Sequence, residues 1–202
     1  MIRFLVRAFL LFVAVGVIGA GAGMWYIQQH GLSARAEPTM LETAVALRLR
    51  HLSIPADQRA RTNPVQPTPA NVQDGMEHFA DHCALCHSNS GVGDTPLARG
   101  LYPHPPIMRE DRTQSLTDGE LFSIIQNGIR FTGMPAFGDQ HNEEAAWKLV
   151  LFIRHLPKQT PQEIAEMEQL NPRAPDDEAP KKAGEAPKAA GKPHQHGGKA
   201  KD

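Results

Sequence analysis

Cys83-Ala84-Leu85-Cys86-His87 is the stretch on which the reading of this chain turns. It holds both cysteines of the 202 residues. Placed at random, two cysteines would fall three apart with a histidine directly after them about once in 2,000 trials, so the pattern is a signal rather than an accident of composition. Three uses of such a pair each leave something unexplained. A thioredoxin-like redox pair calls for βαβ surroundings, which the flanking residues do not offer. A zinc site calls for a second cluster of ligands. A structural disulfide gives no role to His87.

A fourth use employs all three side chains. One turn of chain presents two thiols to the two vinyl groups of a single porphyrin, forming thioethers, and the adjacent imidazole becomes the proximal iron ligand. One covalently attached haem c is therefore expected, held by Cys83, Cys86 and His87. Iron in this setting usually takes a sixth ligand. Met134 lies in Thr132-Gly133-Met134-Pro135-Ala136, between two predicted helices, where Gly and Pro fix an unusual backbone path for a thioether to reach the far haem face. Methionine also commonly fills core, and Met108, after Pro105-Pro106-Ile107, is the runner-up ligand. Leu97, Leu101, Ile107, Ile124, Ile125, Ile129, Phe131 and Phe137 are candidates to wall the group, as they would be to line any core.

Around this motif the apolar spacing is helical. Asn71 is a good N-cap for a helix toward His82 carrying Val72, Met76 and Phe79. Thr117-x-x-Glu120 announces a second helix, which continues through Leu121, Phe122, Ile124 and Ile125 and stops at Gly128. A third begins at Asn142, carries Trp147, Val150, Leu151 and Ile153, and ends with Arg154 and His155 before Pro157. No segment alternates as a strand does, so the domain at 71–157 is expected to be all-α with a long Gly- and Pro-rich loop over 88–115. So small a core with so much loop needs a staple.

These residues resemble the class I c-type cytochromes, bacterial monohaem members included, over 71–157 alone. Gly75, Phe79 and Cys83 at steps of four resemble the family's first helix, where the small residue lets the last helix cross closely; Leu149 and Phe152 look like its crossing partners. Residues 147–156 are similar to the closing helix, Gly133-Met134-Pro135 to the distal-ligand loop, and Leu101-Tyr102-Pro103-His104-Pro105-Pro106 to the proline-rich proximal loop. The resemblance implies a cytochrome c fold of three to five helices around the haem. It also implies a carbonyl near 103–106 that accepts the His87 Nδ1 proton and raises the ring's basicity.

Outside the domain the chain has three appendages. Residues 8–27 run for twenty positions without a charge, about 30 Å of helix at ~1.5 Å per residue, enough to span a bilayer. Arg3 and Arg7 precede the span, which by the positive-inside bias places everything after it outside, and Trp25 and Tyr26 sit at the far interface. Residues 1–36 are thus expected to be a membrane anchor; Ala34-Arg35-Ala36 also has the small-x-small pattern of a signal cleavage site. Residues 37–70 read as a juxtamembrane helix and a linker. Thr39 and Glu42 form a capping-box pattern, Leu41, Val45, Leu49 and Leu52 make a stripe expected to dock on the soluble domain, with a partner subunit or the bilayer surface as the alternatives, and 55–69 is a proline-rich spacer. Residues 158–202 read as a disordered tail, rich in Ala, Pro and Lys, in which His194 and His196 offer at most a weak divalent-metal site.

A net charge of -1, with no long basic stripe, leaves little to neutralise a phosphate backbone, so nucleic acid is not an expected partner. Between 71 and 157 there are six Arg and Lys against eleven Asp and Glu, which suits redox partners with a basic docking face. With His and Met filling both axial positions, iron would exchange single electrons and offer no open coordination site. The expected function is a monohaem electron carrier anchored in a bacterial cytoplasmic membrane by a single pass, with its C-terminal domain in the periplasm. The alternatives are a haem subunit of a larger dehydrogenase or reductase and, with a labile sixth ligand, a haem-based sensor.

Overall fold

The computed structural model describes residues 1–139 and 142–171, and every regular element among them is helical. Helix α1, Ile2–His30, contains the charge-free run and buries none of its residues. It is the one helix among the described residues long and apolar enough to cross a membrane. Helix α2, Met40–Ser53, starts in the expected capping box, with Glu42 N–H on Thr39 Oγ1 and Thr39 N–H on the Glu42 carboxylate. A short α3, Ala56–Arg59, follows.

The domain begins one turn earlier than the Asn71 cap predicts. Helix α4 is Pro69–His78, capped by Thr68, because a proline at the first position is preset for a helix and its missing N–H costs nothing there. The chain then widens into a π turn, Phe79–Cys83, before the single turn α5, Ala84–His87. Further on come α6, Asp111–Gln114; α7, Asp118–Asn127; α8, Glu143–His155; and α9, Pro161–Leu170. The predicted boundaries of α7 and α8 match: Thr117 and Glu120 close a capping box, Gly128 ends α7, and Asn142 Oδ1 caps α8 by accepting from Ala145 N–H.

The architecture rests on α4 crossing α8. A Cβ on Gly75 would lie 2.1 Å from the Lys148 carbonyl oxygen, so only glycine permits the approach. Around the crossing, Met76, Phe79, Leu149, Val150 and Phe152 are fully buried, with Phe79 edge-on to Phe152 at 5.2 Å. Phe122 of α7 stacks on Trp147 of α8 at 4.1 Å. Arg154 locks the third side: it donates to Asp118 at 2.8 Å and to the carbonyls of Gln114 and Leu116, satisfying groups that a helix end and a turn leave open.

Three expectations about the appendages are corrected. Residues 55–69 are a strap on the domain and not a free spacer. Thr117 Oγ1 donates to Arg59 O, Asn63 Nδ2 donates to Trp147 O, and the Arg61 guanidinium lies 4.5 Å over the Phe122 ring and pairs with Glu143. Gly119 makes room for it, since a Cβ there would meet Gln58 O at 2.0 Å. Prolines and polar residues suited a spacer, but polar side chains that reach core carbonyls and rings dock equally well.

The second correction concerns the start of the tail. Residues 161–170 are helical, and Met167 is fully buried beside Gln159, whose Nε2 donates to Met167 Sδ. The Thr160–Glu163 capping box and the His155–Glu163 pair at 2.8 Å hold α9 in place. His194 and His196 lie outside the described residues.

Third, the stripe of Leu41, Val45, Leu49 and Leu52 does not dock on the domain: each is exposed, by between 48% and 74%. Thr43, Leu47 and Arg50 are the half-buried positions of α2, and Ile54 just past it is buried. The helix presents the opposite face to the protein.

Candidate functional site

The Cys83–His87 turn hangs from the π turn. Ala84 N–H bonds back to Phe79 O, five residues earlier, and the extra residue rotates everything after it off the Gly75–Phe79 stripe. Phe79 thus stays in the crossing while its ring still faces the His87 imidazole at 6.5 Å. Periodicity extrapolated from Gly75 through Cys83 as one regular helix and could not register this step. Thr95 Oγ1 donates to Leu85 O, clamping the turn from outside.

Cys83 and Cys86 are both free thiols. Burial, helped by the neighbouring Cys86 and Asp81, pushes the Cys83 thiol up to about 12, and burial also raises Cys86. Both groups are thus biased toward the neutral S–H form. No group of three or more His, Cys, Asp or Glu able to hold a metal ion occurs among the described residues.

His87 is buried, and burial lowers its imidazole to about 4, against the Pro106 carbonyl, which favours the protonated ring. At neutral pH the ring is uncharged, the form that ligates iron. Its Nδ1 is buried without a hydrogen-bond partner, and the Pro106 carbonyl is the backbone acceptor that interacts with the ring. The backbone brings that carbonyl round in a tight reversal: Ser88, Gly91 and Gly93 all adopt positive φ (56°, 71° and 74°). Gly93 N–H closes on His87 O at 2.9 Å, and Met108 N–H on Gly91 O at 2.7 Å. A Cβ on Gly93 would stand 3.0 Å from Pro105 O, so that glycine is needed for the proline loop to approach.

The two methionines fall in different places. Met108 packs against the core, two residues from the carbonyl that faces His87, and its own carbonyl accepts from Gln114. Met134 is in the other loop, held by Met134 N–H on Thr132 Oγ1 and by Ile129 N–H on Met134 O. The two loops meet where a Cβ on Gly133 would stand 2.7 Å from the Leu101 side chain.

The apolar residues around the turn are incompletely covered. Leu97 and Ile107 are 45% and 40% exposed, and Leu101, Ile124, Ile129 and Phe137 are half-buried, while Ile125 belongs to the core. A flat apolar group held by the two thiols would cover such a set, so these residues fit a porphyrin. Phe131 departs from the expected wall: it is 93% exposed at a φ of 61°, a backbone region that an aromatic rarely adopts.

The family described as "Cytochrome C oxidase, cbb3-type, subunit III" matches residues 70–153. No curated protein matches the chain. Among solved structures, a chain of the Kuenenia stuttgartiensis reducing HAO-like protein complex Kustc0457/Kustc0458 is similar, at 20% identity and a TM-score of 0.43. That match covers 46% of this chain and 46% of the other, so this chain spans under half the length of its neighbour. The family match encloses the whole α4–α8 crossing, the Cys83–His87 turn and both loops. Residues 70–153 are a c-type cytochrome domain, a haem-binding fold of electron transfer that follows one apolar helix long enough to be a membrane anchor.

Proposed function

We propose that this protein is a membrane-anchored monohaem carrier of single electrons on the outer side of a bacterial cytoplasmic membrane. The observation that carries the reading is one turn of chain that presents two unpaired cysteines, Cys83 and Cys86, beside the buried imidazole of His87, inside the residues that match the cytochrome family.

In this reading Cys83 and Cys86 would hold one haem c through thioethers, and His87 and Met134 are the residues that would ligate its iron. The haem supplies a reversible one-electron couple when bound. The chain does the rest. The Pro106 carbonyl keeps the His87 proton on Nδ1, leaving Nε2 free to ligate and making the ring a stronger donor. Leu97, Leu101, Ile107, Ile124, Ile129 and Phe137 are the partly exposed apolar residues that would wall the group and reduce its contact with water, which would disfavour the more charged oxidised state. Met108, partly buried against the core, is the weaker candidate to share the iron with His87.

Arg3 and Arg7, in the first turns of α1 ahead of its charge-free run, hold the N-terminus in the cytoplasm, which puts the domain in the periplasm. The acidic surface between 71 and 157 favours partners that present a basic face. A place as the electron-transfer subunit of a larger dehydrogenase or reductase is the second reading, favoured by the oxidase-subunit description of the matching family.

Carbon monoxide tests the ligand set. The ferrous parent binds it slowly or not at all at neutral pH, whereas Met134→Ala binds it rapidly; rapid binding by the parent would overturn the carrier reading in favour of a sensor. Purification from native membranes in mild detergent separates the two carrier readings, because a second redox chain in fixed ratio identifies a subunit.

A further inference from the structure

We propose that α2 lies on the outer surface of the bilayer and holds the cytochrome domain against it, an inference that rests on the reading of α1 as a membrane anchor. Helix α2 has two faces that do different work. One is given to the domain: Thr43, Leu47 and Arg50 are half-buried, Ile54 is buried, and the steps of four, three and four are those of a single helical face. Polar contacts reinforce it. His51 meets Glu120 at 2.8 Å, Glu37 meets His104 at 3.5 Å, Arg59 donates to the carbonyls of His51 and Ile54, and the Glu42 carboxylate lies beside the Tyr102 phenol.

Half a turn away stand Leu41, Val45, Leu49 and Leu52, exposed by 74%, 48%, 61% and 59%, with Arg48 at their edge. Four aliphatic side chains in a row about 16 Å long, at ~1.5 Å per residue, are costly to leave in water. The domain cannot cover them, because α2 already spends its other face on it.

The occupant follows from the tether. Only residues 31–39 separate the end of α1 from the start of α2. At ~3.5 Å per residue a fully extended link of nine residues reaches about 30 Å, so α2 stays within that distance of the lipid in which α1 ends. An exposed apolar stripe beside Arg48, on a helix leashed to the interface, has the composition of a segment that sinks its apolar side to the acyl boundary and leaves its charges among the headgroups. Tyr102 and His104 belong to the proximal loop and Glu120 to α7, so a bound α2 fixes which side of the domain faces the membrane. Anchoring then sets orientation as well as concentration.

Photo-crosslinking of the full chain in liposomes of phosphatidylethanolamine and phosphatidylglycerol tests this. Benzoylphenylalanine is placed at Val45 in the stripe, at Ala46 about 100° round the helix, and at Val13 inside α1 as a control on anchoring. The expected result is lipid adducts at Val13 and Val45, with Val45 several-fold above Ala46, and loss of the Val45 adducts when Leu41→Glu and Leu49→Glu are added. Lipid adducts at Val13 but none at Val45 would overturn the inference and leave the anchor standing. Crosslinks from Val45 to a second copy of the chain would overturn it in favour of a dimer contact. An absence of lipid adducts at Val13 would overturn the anchor reading itself, and the inference with it.

Discussion

Between Ser88 and Met108 the backbone is stitched at short intervals to itself and to the core: Gly93 to His87, Met108 to Gly91, His104 to Ala98, and Gln114 to both Met108 and Ile153. Between Gly128 and Phe137 it is held near its ends, by Gly128 N–H on Ile124 O and Phe137 N–H on Ile125 O, and otherwise by bonds within the loop. The first loop carries the Pro106 carbonyl to His87. The second carries Met134 and leaves Phe131, Pro135 and Ala136 exposed. The loop beside His87 is therefore built into the fold at many points, while the loop that carries Met134 is tied to it more sparsely. Local stability varies with the density of such ties.

The largest effect should come from the turn between the loops. Cys83→Ser with Cys86→Ser removes both thioether donors, and the protein should be recovered without covalent pigment on a denaturing gel stained for haem. Pigment surviving that double change would break the account of both loops. Next in size is Gly75→Val, which drives a side chain into the Lys148 carbonyl at the α4–α8 crossing. A cost of 3 kcal/mol or more, roughly the upper range for overpacking, should appear as loss of cooperative urea unfolding.

The two methionines sharpen the contrast between the loops. Met108→Ala on the stitched side should lower stability by about 2 kcal/mol in chemical denaturation, because it deletes core atoms. It should leave the ferrous protein closed to carbon monoxide. Met134→Ala should do the reverse in the isolated effect on the polypeptide, changing apoprotein stability by less than about 1 kcal/mol, since the residue lies outside the buried core. Equal destabilisation by the two changes would erase the distinction.

The smallest effect concerns α2. Burial pushes the Glu120 carboxyl up, but the Thr117 amide and His51 together outweigh it and hold the group below its ordinary 4.5. A carboxyl whose folded value is depressed stabilises above the unfolded value and loses that contribution as the pH falls through the folded one. Glu120→Gln should therefore be less stable than the parent by about 1 kcal/mol at pH 7. The gap should close as the pH falls below 4.5 in thermal melts.

Much of the site was legible because its chemistry depends on adjacent residues. A Cys-x-x-Cys-His turn needs no tertiary information, and the Thr117 and Asn142 caps lie next to the helices they start. The proline-rich proximal loop was readable as a class but not to the atom: which carbonyl reaches His87 depends on the Ser88–Gly91–Gly93 reversal, a set of backbone angles that composition does not encode. The π turn was hidden because one inserted residue leaves the apolar spacing almost unchanged.

The strap and α2 failed for a related reason. Residues 55–69 have few apolar side chains, so patterning assigned them to solvent, yet Asn63 and Arg61 dock through a carbonyl and two aromatic rings. In α2 hydrophobic patterning selects the more apolar stripe as the docking face. The helix instead uses a mixed face of Thr43, Leu47 and Arg50, whose fit depends on Glu120 and Tyr102 far along the chain. At α9, Met167 was one apolar residue in a polar stretch, and its burial depends on Gln159 and the Thr160 cap.

The central claim is that a single iron porphyrin is bonded to Cys83 and Cys86. Protein isolated from its native membrane, extracted with acidified acetone and then examined as its pyridine haemochrome, addresses it most directly. The pigment should stay in the precipitated chain, at one haem per polypeptide, with the spectrum of a porphyrin whose two vinyl groups are saturated. Pigment that passes into the acetone, or a colourless mature protein, would contradict it.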